Sequence, residues 1–334
     1  MTRTVWRWGL CAALAGGGCL PGDGRPEPGE VLVEARRSDD ARDGFTTDDG
    51  WEIQFDRFVT ALGGLGLGDD RFDPACEDYS RTFYDRLFDF AASDTTKLHQ
   101  HFGLGTCTLR YRMGSASDRV LLAPGVNEAD RQLFLNESID RFLGFQSDDD
   151  DDDDDDATRL ADDDGTVEGT GAGLLVEGTG RKGSVEKRFR WVLFEDHAIQ
   201  RCVNPDGSPF QVSLEGGDER VVGAVVRPRE LFRLLPSDDG PIEFEAIAAS
   251  DRNGDDTVTL DELAERRFPA RDVLEALLGA EAARLPPPVL SGELTRREVL
   301  ERISFPRLAA FDGVIGCEFV VTDLTIITSS DAEP

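Results

Sequence analysis

The chain is expected to be mostly β with some α: an antiparallel β-sandwich into which a helical segment is inserted before the last strand. Three observations carry that expectation. Between Val31 and Val226 apolar and polar residues alternate in several segments with period two, as strands with one buried face do. After Pro228 the apolar residues recur at helical spacing, and from Glu318 to Ile327 strand character returns. With 334 residues the chain can bury a sizeable core.

Val31 to Glu34 is the first strand. Trp51, Ile53 and Phe55 then alternate with Glu52, Gln54 and Asp56, and the glycine-rich run Gly63 to Gly68 is expected to close that segment. The glycine spacing is not that of a dinucleotide-binding loop. Phe83 to Phe90 and Thr95 to Met113 are further strands, the latter expected to break at Gly103-Leu104-Gly105. Asn127 is placed to cap a short helix ending at Leu135, with Glu128 and Asp130 in its first turn.

Asp148 to Asp156 is an unbroken run of nine aspartates, and Asp162 to Asp164 follows it. Self-repulsion and a lack of apolar residues make residues 147–168 a disordered insertion. Beyond it, Gly171 to Gly178 and Val185 to Phe194 flank a turn at Thr179 to Ser184, which is a hairpin signal. Phe210 to Leu214 and Arg220 to Val226 continue the pattern. The acidic run therefore interrupts one β domain, residues 31–235, and does not separate two.

Residues 236–312 form the helical region, with a short helical stretch, Glu230 to Leu235, just before it. Within it, Val273, Leu274, Leu277 and Leu278 make an apolar stripe on a helix from Arg271 to Arg284, ended by Pro286 to Pro288. Thr295 caps a last helix, Thr295 to Arg302, running on to Pro306. Residues 313–328 supply the closing strand.

Asp251 to Glu262 is the segment whose spacing dictates a chemistry. A hard divalent cation takes six to eight oxygens, and a twelve-residue loop supplies them from positions one, three, five, seven, nine and twelve. Here those positions hold Asp251, Asn253, Asp255, Thr257, Thr259 and Glu262. Val258, at the eighth, is apolar and suited to tucking the loop against the body. Ile242, Phe244, Ile247 and Ala248 before it, and Leu260, Leu263 and Ala264 after it, have helical spacing.

This stretch resembles the calcium loop of the EF-hand family, over roughly residues 242–274. The resemblance implies Ca2+ as the bound ion, with Thr257 giving its backbone carbonyl, Thr259 a hydroxyl or bridged water and Glu262 both carboxylate oxygens. It departs at the sixth position, where the family has glycine and this chain has Asp256. A second hand at Asn204 to Glu215 fails, because Pro209 fixes φ near −65° where the loop needs a positive value. A single hand is expected to act as a structural clip.

Met1 to Gly18 has the build of an export signal, with Arg3 and Arg7 before a short apolar core. Leu14-Ala15-Gly16-Gly17-Gly18-Cys19 resembles the lipobox of bacterial lipoproteins, which implies cleavage before Cys19, acylation of its thiol and a membrane anchor. Leu20 after it implies the outer membrane; an ordinary signal peptide of a secreted or periplasmic protein is the alternative. Residues 19–30 read as a tether rich in Pro, Gly and charge. Cys76, Cys107, Cys202 and Cys317 then make two disulfides in an exported chain, with three connectivities open. Any bridge from Cys317 closes a loop of more than a hundred residues.

The formal charge of −31 excludes affinity for nucleic acid. His99 and His101 share one strand face without a third ligand nearby, and are expected as exposed strand histidines and not as a transition-metal site. No GxSxG, HExxH or phosphate-binding loop is present. The function expected is that of a calcium-binding, lipid-anchored envelope protein whose β domain has a binding or structural role, with a protein or glycan partner left open. The alternative is a secreted or anchored carbohydrate-active hydrolase in which calcium is a structural ion.

Overall fold

The structure, a computed structural model, describes residues 27–68, 76–80, 84–136, 171–204, 206–233, 240–278, 293–312 and 315–319. The expected export signal, Cys19, the expected tether up to residue 26 and the aspartate run lie outside the described residues. Mostly β with α is the fold that results.

The first strand, β1 (Gly29–Ala35), alternates fully buried with half-buried residues, as its sequence pattern requires. After α1 (Asp39–Asp43) and the short β2 (Phe45–Thr46) comes β3, a long strand over Glu52–Leu67. The glycine run does not end β3; it lies within it. A Cβ at Gly63 would sit 2.4 Å from the Cβ of Asp85, so the residue is small because a neighbouring strand approaches closely there. Next are β4 (Glu77–Asp78), β5 (Asp85–Asp89) and β6 (Thr96–Gly114). The expected break at Gly103 to Gly105 is absent: β6 is continuous over 19 residues. Its two halves bond different partners, and Gly105 at φ 94° lies where they meet.

β7 (Leu121–Leu122) and helix α2 (Glu128–Phe134) follow, with Asn127 as the expected cap: its side chain accepts from the Ala129 and Asp130 amides. The expected hairpin is β8 (Leu174–Lys182) with β9 (Val185–Leu193), paired throughout from Leu174–Leu193 to Lys182–Val185. β10 (His197–Val203) has no period-two signal. β11 (Gln211–Leu214) and β12 (Glu219–Val226) match expectation. A 3-10 turn at Pro228–Phe232 leads to the short helix α3 (Glu245–Ala248). Then come β13 (Thr257–Val258), α4 (Leu260–Ala264), β14 (Arg267–Pro269) and α5 (Ala270–Leu278). β15 (Glu293–Thr295) and α6 (Arg296–Val299), which winds into a π-helical turn at Leu300–Ser304, precede β16 (Ala309–Phe311) and β17 (Ile315–Phe319).

The strands are not divided between two separately bonded sheets. Among the described residues fifteen of them form one mixed sheet, and β14 and β15 pair by themselves. The order β1-β12-β16-β17-β10-β6 closes on itself, because β6 also pairs with β1. Within that ring only β1 and β12 run parallel; the other pairs are antiparallel. From β6 the sheet continues outward through β3, β8, β9 and finally β13. β3 and β8, on either side of the aspartate run in sequence, are hydrogen-bonded neighbours.

The main core runs from Val31 and Val33 through Phe58, Trp191 and Phe232 to Phe311. A second, smaller core lies where Phe134 of α2 meets Val59, Leu87 and Leu175. The helical region has its own cluster of Ala270, Val273, Leu294, Val299 and Ile303. Among the described residues no helix is long and apolar enough to cross a membrane.

The four cysteines form two disulfides, Cys76–Cys107 and Cys202–Cys317, 31 and 115 residues apart in sequence. The second joins facing positions of β10 and β17. Loop-closure entropy makes it worth about 1 kcal/mol more than the first. Urea denaturation of the paired Cys→Ser variants is expected to show about 2–5 kcal/mol lost for Cys202/Cys317, and a smaller loss for Cys76/Cys107. Equal losses would show that the length of the closed loop is not what sets their value.

Candidate metal centre

The segment Asp251–Glu262 lies between two short helices, α3 before it and α4 after it. Its position is set from both ends. Asp49, in the turn before β3, accepts the Phe244 and Glu245 amides at 3.0 and 2.7 Å and so caps α3 from another part of the chain. Phe244 packs on Trp51 and Phe189, ring centroids 5.0 and 5.8 Å away. On the far side, Val258 is buried, β13 pairs in parallel with Arg188 and Phe189 of β9, and the Trp191 indole donates to the Val258 carbonyl at 3.1 Å. The apolar residue at the eighth position thus anchors the loop to the sheet.

Inside the loop the side chains of Asp251, Asn253 and Asp255 turn back on the backbone. Asp251 accepts from the Gly254 amide at 2.8 Å and from the Asp256 amide at 3.1 Å. Asn253 accepts from the Asp255 amide, and Asp255 from the Thr257 amide, both at 2.8 Å. These turns wind the chain tightly, and Asp256 at the sixth position takes φ 62°. That is the left-handed region the loop needs there, reached without glycine; aspartate tolerates it better than most side chains. Thr259 caps α4 and Glu262 returns the bond, its Oε2 accepting the Thr259 amide at 2.9 Å. The other oxygen, Oε1, accepts the Arg252 amide at 3.3 Å, which draws the twelfth residue back toward the start of the loop.

The donor chemistry and the backbone fit a hard divalent cation. All six residues offer oxygen, and the left-handed sixth position, the strand at seven and eight and the capping box at nine and twelve occur where such a loop requires them. The side chains are not gathered into a tight cluster: among the described residues no three His, Cys, Asp or Glu groups come together closely enough to hold a metal.

A positive charge nevertheless sits at the loop. Lys187 of β9 places its ammonium 2.6 Å from Asp251 Oδ2 and 2.8 Å from Asp256 Oδ1. The Asp251 side chain is fully shielded from solvent and that of Lys187 is 17 % exposed. The hydrogen bond from Lys187 holds the Asp251 carboxyl below the usual range, and the bonds to Asp251 and Asp256 raise the lysine. The sequence gives no sign of Lys187, because the contact joins residues 64 apart.

His99 and His101 share one strand face as expected, with ring centroids 6.3 Å apart, but they are not exposed. β1 pairs alongside them, Val33 opposite His99 and Val31 opposite His101, and both histidines are buried. Neither nitrogen of His99 has a hydrogen-bond partner, and burial pushes its pKa down to about 3. His101 Nδ1 lies 3.6 Å from Asp78. His197 begins β10 with its Nε2 3.2 Å from the Glu301 carbonyl; burial lowers it to about 4.

A buried charged group escaped sequence reading altogether. Arg112 donates to Asp85 at 2.9 Å and to Asp196 at 2.8 Å. Ser117 donates to Asp85 and Ser115 to Asp196, each at 2.6 Å. The group ties β5 and β6 to the segment before β10, and its hydrogen bonds are those of a structural pin. Comparison with protein-family models, with curated proteins and with solved structures yields no match to this chain.

Proposed function

We propose that this is a calcium-binding, lipid-anchored protein of a bacterial envelope, in which a single EF-hand acts as a structural clip on a β-rich body with a binding or structural role. The observation that carries the reading is the loop backbone, with Asp256 at φ 62° in the sixth place and the Thr259–Glu262 capping box closing it. Asp251, Asn253, Asp255, Glu262, the Thr257 carbonyl and Thr259 are the groups that would hold the ion. Calcium supplies positive charge among carboxylates that otherwise repel. The chain's own part is to fix α3 and α4 against the β8–β9 hairpin through Phe244, Val258 and Trp191.

Two disulfides suit an oxidising compartment, and with the signal-like start and Cys19 they support export and anchoring. Extracellular hands bind at about 10⁻⁴–10⁻³ M, suited to a constitutively filled site. In calorimetry, 10 mM calcium is expected to raise the melting temperature by roughly 2–5 °C over a chelator control. Glu262→Gln is expected to abolish that rise. No rise in the unsubstituted chain, or the same rise in the variant, would remove the calcium role.

A further inference from the structure

Lys187 belongs to the sheet, not to the loop, yet its ammonium bonds the first and sixth residues of the loop. The first residue, Asp251, is a ligand in the reading above. A divalent ion bonded to the same carboxylate would lie within a few ångströms of the ammonium, where two positive charges in a shielded place repel strongly. Arg188, the next residue, donates its amide to the Asp256 carbonyl at 2.8 Å, so β9 cannot carry Lys187 away without disturbing the β13 pairing. Withdrawal must come from the lysine side chain alone, whose four-carbon stem is flexible.

We propose that Lys187 is a tethered competing cation, which holds the loop folded when calcium is scarce and must be displaced from Asp251 when calcium binds. The proposal rests on the calcium reading. It sets the affinity of the site: the exchange of an internal ammonium for an external ion weakens binding, and it reduces the gain in order on binding because the loop is already wound.

Calcium titration by calorimetry of the full chain, of Lys187→Gln and of Lys187→Arg separates the outcomes. Lys187→Gln is expected to bind calcium about five- to tenfold more tightly than the unsubstituted chain, and to melt lower than it in chelator. Its calcium-dependent rise in melting temperature is then the larger of the two. Lys187→Arg, which keeps the charge, is expected to remain close to the unsubstituted chain. If the unsubstituted chain binds calcium and Lys187→Gln binds equally or more weakly, the competition is overturned while the calcium loop stands. If neither binds, the calcium loop itself falls and the competition with it.

Discussion

Replacing Arg112 with methionine is expected to cost about 3–5 kcal/mol of folding stability. The guanidinium is 5 % exposed and serves two carboxylates, one of them, Asp85, fully buried. Methionine fills much of the space but leaves Asp85 with only the hydroxyl and amide of Ser117, 2.6 and 2.8 Å away. A buried carboxylate stripped of its cation must either stay charged in a poor medium or take up a proton. Both cost free energy. The solvent-exposed pair Arg181–Glu186, bonded at 2.7 Å, is the comparison. There the same substitution is expected to change stability by less than about 1 kcal/mol, because water already screens the pair. Urea denaturation of the two variants measures both. Equal effects would mean that burial contributes nothing to the worth of Arg112.

Mild acid is the second large effect. His99 and His197 are buried, with pKa values of about 3 and about 4 in the folded chain against an ordinary value of 6.5. A folded-state value below the unfolded one means that the unfolded chain takes up the proton first, so stability rises with pH across that interval. Their contribution is whole above about pH 6.5 and falls as the pH drops toward 4 for His197 and toward 3 for His99. At pH 4.5 the two together are expected to cost roughly 3–5 kcal/mol. Around His99 stand the Tyr84 ring, 4.9 Å away, and His101. Burial is the larger cause that disfavours the imidazolium, and the nearby Arg86 guanidinium adds to it. Melting temperature measured from pH 7.5 to 4.5 is expected to fall steadily, and a His99→Phe, His197→Gln double variant to flatten that fall. An unchanged slope in the variant would place the acid sensitivity elsewhere.

What the sequence made legible follows from the range of each signal. The β8–β9 hairpin, the Asn127 cap and the Thr295 cap are decided by residues within a few positions of one another, and the structure has all three. The disulfide count was readable too, although not the pairing. The ring of strands was not, since it depends on β1 lying parallel to β12 across almost two hundred residues. His99 and His101 are buried beside that same strand in the closed ring, so their exposure could not be judged from β6 alone. Glycines in β3 read as terminators because turn and close approach call for the same residue. Asp85 and Arg112 drew no notice in the sequence, since nothing local distinguishes a charged residue that has a buried partner. In the loop, the spacing of six oxygen-bearing residues and the apolar eighth position were visible, whereas the sheet lysine bonded to the first of them was not.

Closure of the ring has a consequence for how the molecule keeps to itself. β1 is bonded on both sides, so it offers no template to a second chain. The open flank of the sheet is β9, and there the two residues of β13 are what cover it among the described residues. The loop therefore doubles as a guard: loosening it bares main-chain donors and acceptors, and self-association by strand addition becomes the natural hazard of losing its grip.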